Sequence, residues 1–237
     1  MEYTDKEYCL EVWGDMACFT RPELKVERVS YDVITPSAAR AIFEAIFWKR
    51  AIHWQITKIE VLNSIKWISV RRNEVGKLAS INGKSIYIDE TSKTNPNKLI
   101  NRQQRNSLFL RDVKYRIWAK LEYQSVQRRL EKGAVFAHPP GHDENPMKYY
   151  SMFERRASKG QCFTQPYFGC RECTAFFRLV DPITESLKPP ISETRDLGLM
   201  LYDKRYIAEQ NVVSEFFHAK MENGVINCNR KEIEIWS

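Results

Sequence analysis

From Val113 to Tyr123 the chain alternates without a break. Val113, Tyr115, Ile117, Ala119, Leu121 and Tyr123 fall on one side, and Lys114, Arg116, Trp118, Lys120 and Glu122 on the other. A period of two puts these sets on opposite faces of a β-strand. One face therefore enters a core, while the other presents cations and an indole to water or to a ligand. A strand wet on one face belongs to an antiparallel sheet, so the rest of the chain must supply neighbours for it. Tyr8 to Phe19 reads as a strand bent at Gly14-Asp15, and Trp54 to Leu62 and Ile65 to Val70 as strands separated by Asn63-Ser64. Further short strands are expected at Thr174–Val180, Leu197–Tyr202, Val212–Glu222 and Val225–Cys228. Asn223-Gly224 joins the last two, a dipeptide that favours the tight turn of a hairpin.

Two helices interrupt this pattern. Thr35 is an N-cap candidate with Pro36 at the first helical position. Ala38, Ala41, Ile42, Ala45 and Ile46 then form an apolar stripe at helical spacing. Asn145 and Pro146 repeat the start signal, and Gly160 supplies a C-terminal cap for a helix running to about Lys159. Thr20 to Pro36 is a polar, basic loop. Residues 75–106 form a polar insertion with a short Ser-Ile-Tyr-Ile strand inside it, long enough to be functional or mobile. The fold class is α+β with a mainly antiparallel sheet.

Composition sets outer limits. With 237 residues, 43% hydrophobic and 28% charged, the chain is not intrinsically disordered. A chain this long buries roughly 70% of its unfolded surface, so it needs no disulfide or metal staple. No apolar run approaches the ~20 residues of a membrane span. The beginning, Met-Glu-Tyr-Thr-Asp-Lys-Glu, lacks the apolar core of a signal peptide. A cytoplasmic chain with no membrane partner is expected, its six cysteines reduced. Cys170-Arg-Glu-Cys173 lacks the second ligand pair of a zinc site and reads as buried structural thiols, with a small redox or zinc protein as the remote alternative.

The net charge of +7 is compatible with any polyanion. Basic clusters at Lys49-Arg50, Arg71-Arg72, Arg128-Arg129, Arg155-Arg156 and Lys204-Arg205 lie among aromatics such as Trp48, Trp54, Trp67, Trp118, Phe163 and Tyr167. Such a surface suits a nucleic acid whose bases can stack, although solvated charge beside core aromatics gives the same pattern. Lys148 falls in the first turn of the second helix, where the dipole disfavours a cation. A lysine beside uncapped amides at a helix start makes a phosphate site. The loop from Gly160 to Gly169 carries Phe163, Tyr167 and Phe168, which either stack on bases or join the core.

Long stretches of this sequence resemble a known family. Glu11-Val-Trp-Gly-Asp-Met-Ala-Cys-Phe-Thr-Arg-Pro-Glu-Leu-Lys-Val-Glu-Arg-Val-Ser-Tyr-Asp-Val-Ile-Thr-Pro36 and Ala45-Ile-Phe-Trp-Lys49 resemble the family five CRISPR-associated (Cas) protein of type I-C (Dvulg) systems. So do Lys148-Tyr-Tyr-Ser-Met-Phe-Glu-Arg-Arg-Ala-Ser-Lys-Gly-Gln-Cys-Phe163, Pro166-Tyr-Phe-Gly-Cys-Arg-Glu172 and Met221-Glu-Asn-Gly-Val225. The matches run from residue 8 to about 226, with little in 75–106.

The resemblance implies a ferredoxin-like (RRM-like) RNA-binding domain over 1–125, followed by a helix, a glycine-bounded loop and a C-terminal antiparallel β extension over 126–237. It implies an endoribonuclease that needs no metal or other cofactor. Such an enzyme cuts precursor CRISPR RNA at the repeat hairpin and remains on the 5′ handle in the Cascade complex. The partners implied are CRISPR RNA and the backbone and large subunits of that complex. Duplex DNA is a second polyanion that the same cations would attract.

Where the family pattern has a tyrosine, a lysine and a histidine, this sequence carries Phe47, Lys148 and Tyr149. Lys148 would hold the scissile phosphate. Tyr149 would donate or accept a proton, its pKa lowered by the lysine and the helix start. His142, and less directly His138, would supply an imidazole, whereas His53 and His218 lie in strand patterns and are read as structural. RNA contacts are expected from Arg21, Lys25, Arg28 and Ser30, from Phe47, and from Arg155, Arg156, Lys159 and Arg171. Loss of two of three catalytic groups leaves open a second reading, a subunit that grips the 5′ handle without cutting it.

Overall fold

The computed structural model describes residues 5–24, 26–75, 102–131, 144–208 and 211–237. Among these, β1 (Lys6–Ala17), β2 (Ile52–Val61), β3 (Trp67–Val75), β4 (Arg102–Tyr123), β5 (Phe176–Val180), β6 (Arg195–Ala208), β7 (Asn211–Glu222), β8 (Val225–Asn227) and β9 (Ile235–Trp236) form one antiparallel sheet. Its order is β5-β1-β4-β2-β8-β7-β6, with β3 added to β4 and β9 to β7. The helices are α1 (Pro36–Ile46), α2 (Val126–Glu131) and α3 (Pro146–Ser158). No helix among the described residues is long and apolar enough to cross a membrane.

The alternating segment is the C-terminal half of β4, flanked by β1 and β2. Val113, Tyr115, Ile117, Ala119 and Leu121 are buried, as the period of two requires. The opposite face is not an open cationic surface. Arg116 is only 2% exposed; it pairs with Glu60 on β2 and donates to the Lys188 carbonyl oxygen at 2.8 Å. Lys114 pairs with Glu11 on β1 at 2.8 Å, and Lys58 sits 4.1 Å over the Trp118 ring. Opposite charges on neighbouring strands attract across the ladder, so these cations serve the sheet.

Residues 102–106, expected within the polar insertion, extend β4, and the β3–β4 ladder runs to Val75 opposite Arg102. The Ser-Ile-Tyr-Ile segment lies outside the described residues.

Thr35 caps α1, its Oγ1 accepting from the Ala38 amide at 3.2 Å. The buried stripe is Ala39, Ile42, Phe43 and Ile46, while Ala38 and Ala45 are partly covered and Ala41 is exposed. The helix is turned by about one residue from the alanine stripe, because burying an aromatic ring gains far more apolar area than burying a methyl group. Phe43 lies 4.8 Å from Trp54 and 5.9 Å from Phe153 between ring centres. Tyr8 meets Phe153 at 4.8 Å, completing an aromatic cluster that locks α1 and α3 to the sheet.

Asn223 and Gly224, with φ of 48° and 75°, make the turn into β8. A Cβ on Gly224 would lie 2.4 Å from the Ile191 carbonyl oxygen, so glycine is required there for space as well as for conformation.

Candidate nucleic-acid interface

The start of α3 is built as its sequence directs. Asn145 Oδ1 accepts from the Lys148 amide at 3.0 Å, Pro146 occupies the first helical position, and no acidic residue lies in the first turn. The exposed Lys148 side chain thus adds its charge to the positive end of the helix dipole. At the other end Gly160, at φ 64°, donates to the Ala157 carbonyl oxygen and Gln161 to that of Arg156. That is the paired bonding of a glycine-capped C-terminus.

Tyr149 points inward and is buried. Its hydroxyl donates to Glu144 Oε1 at 2.5 Å, and Arg129 Nη2 donates to Glu144 Oε2 at 2.7 Å. Tyr123 stacks on Tyr149 at 5.9 Å and its hydroxyl donates to the Glu144 carbonyl oxygen at 3.4 Å. Burial, followed by the bond to Glu144 and its charge, raises the Tyr149 pKa. The lowered pKa expected beside Lys148 is therefore reversed. A phenol donating to a carboxylate in a desolvated position keeps its proton.

Phe47 has no exposed surface, so its ring is part of the core rather than a contact for a ligand. It lies 6.4 Å from the Tyr149 ring, with the Arg156 guanidinium 5.3 Å above it. The last carbonyls of α1 are claimed by distant groups. Ala45 accepts from the Phe163 and Thr164 amides at 2.8 and 3.2 Å, Ile46 from Arg156 Nη1 at 3.2 Å, and Phe47 from Trp54 Nε1 at 3.0 Å. Orphan carbonyls at a helix end need such partners. The backbone at this junction leaves Trp48 55% exposed and Phe163 81% exposed, with Lys49 and Arg50 exposed beside Trp48. Two bare rings next to cations form a surface on which bases can stack.

The first basic segment is arranged differently. Arg21 lies 4.5 Å over the Tyr31 ring and pairs with Asp32 at 3.4 Å. Arg28 donates to Cys170 Sγ at 3.3 Å and pairs with Glu74 at 3.6 Å. Ser30 is buried, accepting from the Phe19 amide and donating to the Tyr31 carbonyl oxygen. These three therefore meet the protein itself, and a role of Ser30 in direct RNA contact is replaced by a structural one. The Cys170 thiol is held below its ordinary range by the bond with Cys18 and then by Arg28, against the cost of burial. All six cysteines are free, and five are buried. Gly169 tucks this loop against the backbone that follows β1, since a Cβ there would lie 2.0 Å from the Cys18 carbonyl oxygen.

Tyr149, Phe47 and Arg156 are thus brought together, and Lys148 stands exposed next to Tyr149 in the first turn of α3. Arg155, Lys159 and Arg171 are exposed, while Lys25, His138 and His142 lie outside the described residues. His53 and His218 are exposed rather than core residues, His218 bonding to Asp196 at 2.7 Å. Glu144, Arg129 and Tyr123 were not anticipated. The only signal for Glu144 is its place directly before the helix cap.

A family model described as CRISPR-associated protein (Cas_Cas5), under the family name Cas_Cas5d, matches residues 7–229. A protein named CRISPR pre-crRNA endoribonuclease Cas5d from Mannheimia succiniciproducens is 47% identical over 223 residues, covering 92% of each chain. One of the same name from Thermus thermophilus is 35% identical over 232 residues, covering 91% of this chain and 88% of its own. A solved structure titled as a CRISPR-associated protein superposes with a TM-score of 0.66 at 21% identity, covering 99% of this chain and 98% of its own.

Proposed function

Since the chain belongs to the Cas5d family of CRISPR-associated proteins, we propose that it is an endoribonuclease that cuts precursor CRISPR RNA at the repeat hairpin and stays on the 5′ handle in a type I-C Cascade complex. The observation that carries this reading is Lys148, an exposed cation in a first helical turn that contains no acidic residue.

In this reading the RNA attacks itself. The 2′-oxygen loses its proton to a base and bonds to phosphorus, and the P–O5′ bond breaks. The 5′-oxygen then takes up a proton. The products are a 2′,3′-cyclic phosphate and a 5′-hydroxyl, and no metal enters. Lys148 stabilises the charge gathering on the phosphate. Tyr149 acts as a positioning residue, since its phenol keeps its proton and ties the first turn of α3 to Glu144 and Arg129. The proton transfers fall to His142, the imidazole nearest in sequence, a residue type that titrates near neutrality. Exposed Arg155, Lys159 and Arg171 bind phosphates, and a backbone and a large subunit of Cascade complete the assembly. Target duplex DNA is a secondary ligand.

A ferredoxin-like unit is part of the same proposal. Its support is the order β1, α1, β2, β4, α3, β5 along the chain and β5-β1-β4-β2 across the sheet, with the remaining C-terminal strands as the extension.

Incubation of the chain with a repeat RNA in EDTA tests the reading, with a discrete cut and a cyclic phosphate end expected. Loss of cutting in Lys148→Ala and in His142→Ala supports the two roles, and full activity of either removes that residue from the site. The buried Phe47 and protonated Tyr149 favour a second reading, a subunit that holds the 5′ handle uncut. Intact repeat RNA alongside tight binding would select it.

A further inference from the structure

A cleft of about 730 Å³ lies between the start of α1, β2, α2 and β6, with Arg129 in its lining. Seven cationic side chains and three carboxylates line it. Four of those cations are already paired: Arg40 with Glu44 and Asp203, Arg129 with Glu144, and Arg205 and Arg230 with Glu215. The other three, Arg50, Arg128 and Lys204, are exposed and form no ion pair among the described residues. They come from the α1–β2 connection, α2 and β6, yet all line one trough.

The trough also has a backbone wall. β8 pairs with β2 only from Lys58 to Glu60, so among the described residues the only strand laddered to Ile52–Ile56 is β4. A strand edge turns the N–H and C=O of every second residue to its open side. His53 and Gln55 line the same wall. Cations for phosphates, with donors and acceptors for ribose hydroxyls and base edges, are the chemistry that holds an extended single strand of RNA. A protein strand would use the same edge but would gain nothing from the cleft's surplus of positive charge.

We propose that this cleft binds the single-stranded RNA flanking the scissile phosphate, with Arg50, Arg128 and Lys204 on successive phosphates. Arg129 connects the two places: it lines the cleft and bonds to Glu144, the partner of Tyr149. A strand lying in the cleft thus arrives at the start of α3. The inference rests on the reading of this chain as an RNA-cutting protein and adds where the substrate's flank lies.

The experiment compares wild type with the Arg50→Ala/Arg128→Ala/Lys204→Ala variant on two RNAs, a repeat hairpin with its single-stranded flanks and the bare hairpin. For the flanked RNA the variant should bind at least tenfold more weakly. Its plot of log affinity against log salt should flatten by about 2, three contacts at roughly 0.7 each. Binding of the bare hairpin should not change. An Arg50→Lys/Arg128→Lys variant keeps the charges and should keep the wild-type slope, with thermal melting of every variant as the folding control. RNAs lacking the 5′ or the 3′ flank identify which side occupies the cleft. Unchanged affinity and slope on the flanked RNA would overturn the proposal, as would equal losses on both RNAs. With Lys148-dependent cutting intact, either outcome fails the cleft alone, whereas a wild-type chain that neither binds nor cuts repeat RNA would overturn the functional reading with it.

Discussion

The two basic segments of this chain read alike and fold into opposites. Around residues 21–30, Arg21 is stacked on Tyr31 and paired with Asp32, Arg28 lies between Cys170 and Glu74, and Ser30 is buried. Around residues 148–171, Lys148, Arg155, Lys159 and Arg171 stand at the surface. The same residue types serve the protein in one region and face outward in the other. Net charge counts both equally, but a ligand meets only the cations that stand at the surface.

The largest test of this contrast is catalytic. Lys148→Ala should slow single-turnover cleavage of a repeat RNA by about 100-fold or more, the cost of removing one charge-stabilising donor, while Arg21→Ala should leave the rate within about twofold. A Lys148→Ala chain as fast as wild type would erase the distinction. Salt provides the next test. If about five phosphates are contacted, raising salt from about 50 to 200 mM should weaken binding by about 100-fold. Arg155→Ala and Lys159→Ala should each flatten that dependence by about 0.7 in slope, and Arg21→Ala and Arg28→Ala should not.

Arg28→Ala sharpens the other side of the comparison. It should lower stability by about 1 kcal/mol in denaturant titrations, since one hydrogen bond and a partly solvated ion pair are lost. It should also move the Cys170 thiolate absorbance to higher pH, because the arginine helps to hold that thiol low. The smallest effect belongs to Tyr149. Tyr149→Phe should cost about 1 kcal/mol for the lost bond and leave the cleavage rate without a missing limb near neutral pH. A raised phenol pKa means the folded state favours the protonated form. That contribution is complete below the unfolded value near 10 and fades as the pH climbs above it. Denaturant titrations at increasing pH should therefore fall less steeply for Tyr149→Phe than for wild type.

Local rules were the legible part of this molecule. The alternation of β4, the Asn223-Gly224 turn and both Pro-opened helices follow from periods and caps within a few residues. The rotation of α1 was not legible, because Phe43 takes its place from Trp54 and Phe153, which lie on other elements. The outer face of β4 looked like a ligand surface because Glu11 and Glu60 reach it only through strand pairing. For the same reason Lys148 could be located from its helix start, whereas the Tyr149–Glu144–Arg129 chain could not. Arg129 comes from a separate helix.

The clasp on the last carbonyls of α1 also sets a schedule. Its late donors are Arg156, Phe163 and Thr164, and β1 gains its outer neighbour only when Phe176–Val180 exists. Contacts so distant along the chain close late in folding, and synthesis adds residues from the N-terminus at a finite pace. A ribosome carrying only the first half of this chain therefore displays the basic loop and most of β4 but no finished site. On the reading proposed above, RNA binding waits until synthesis has passed Val180.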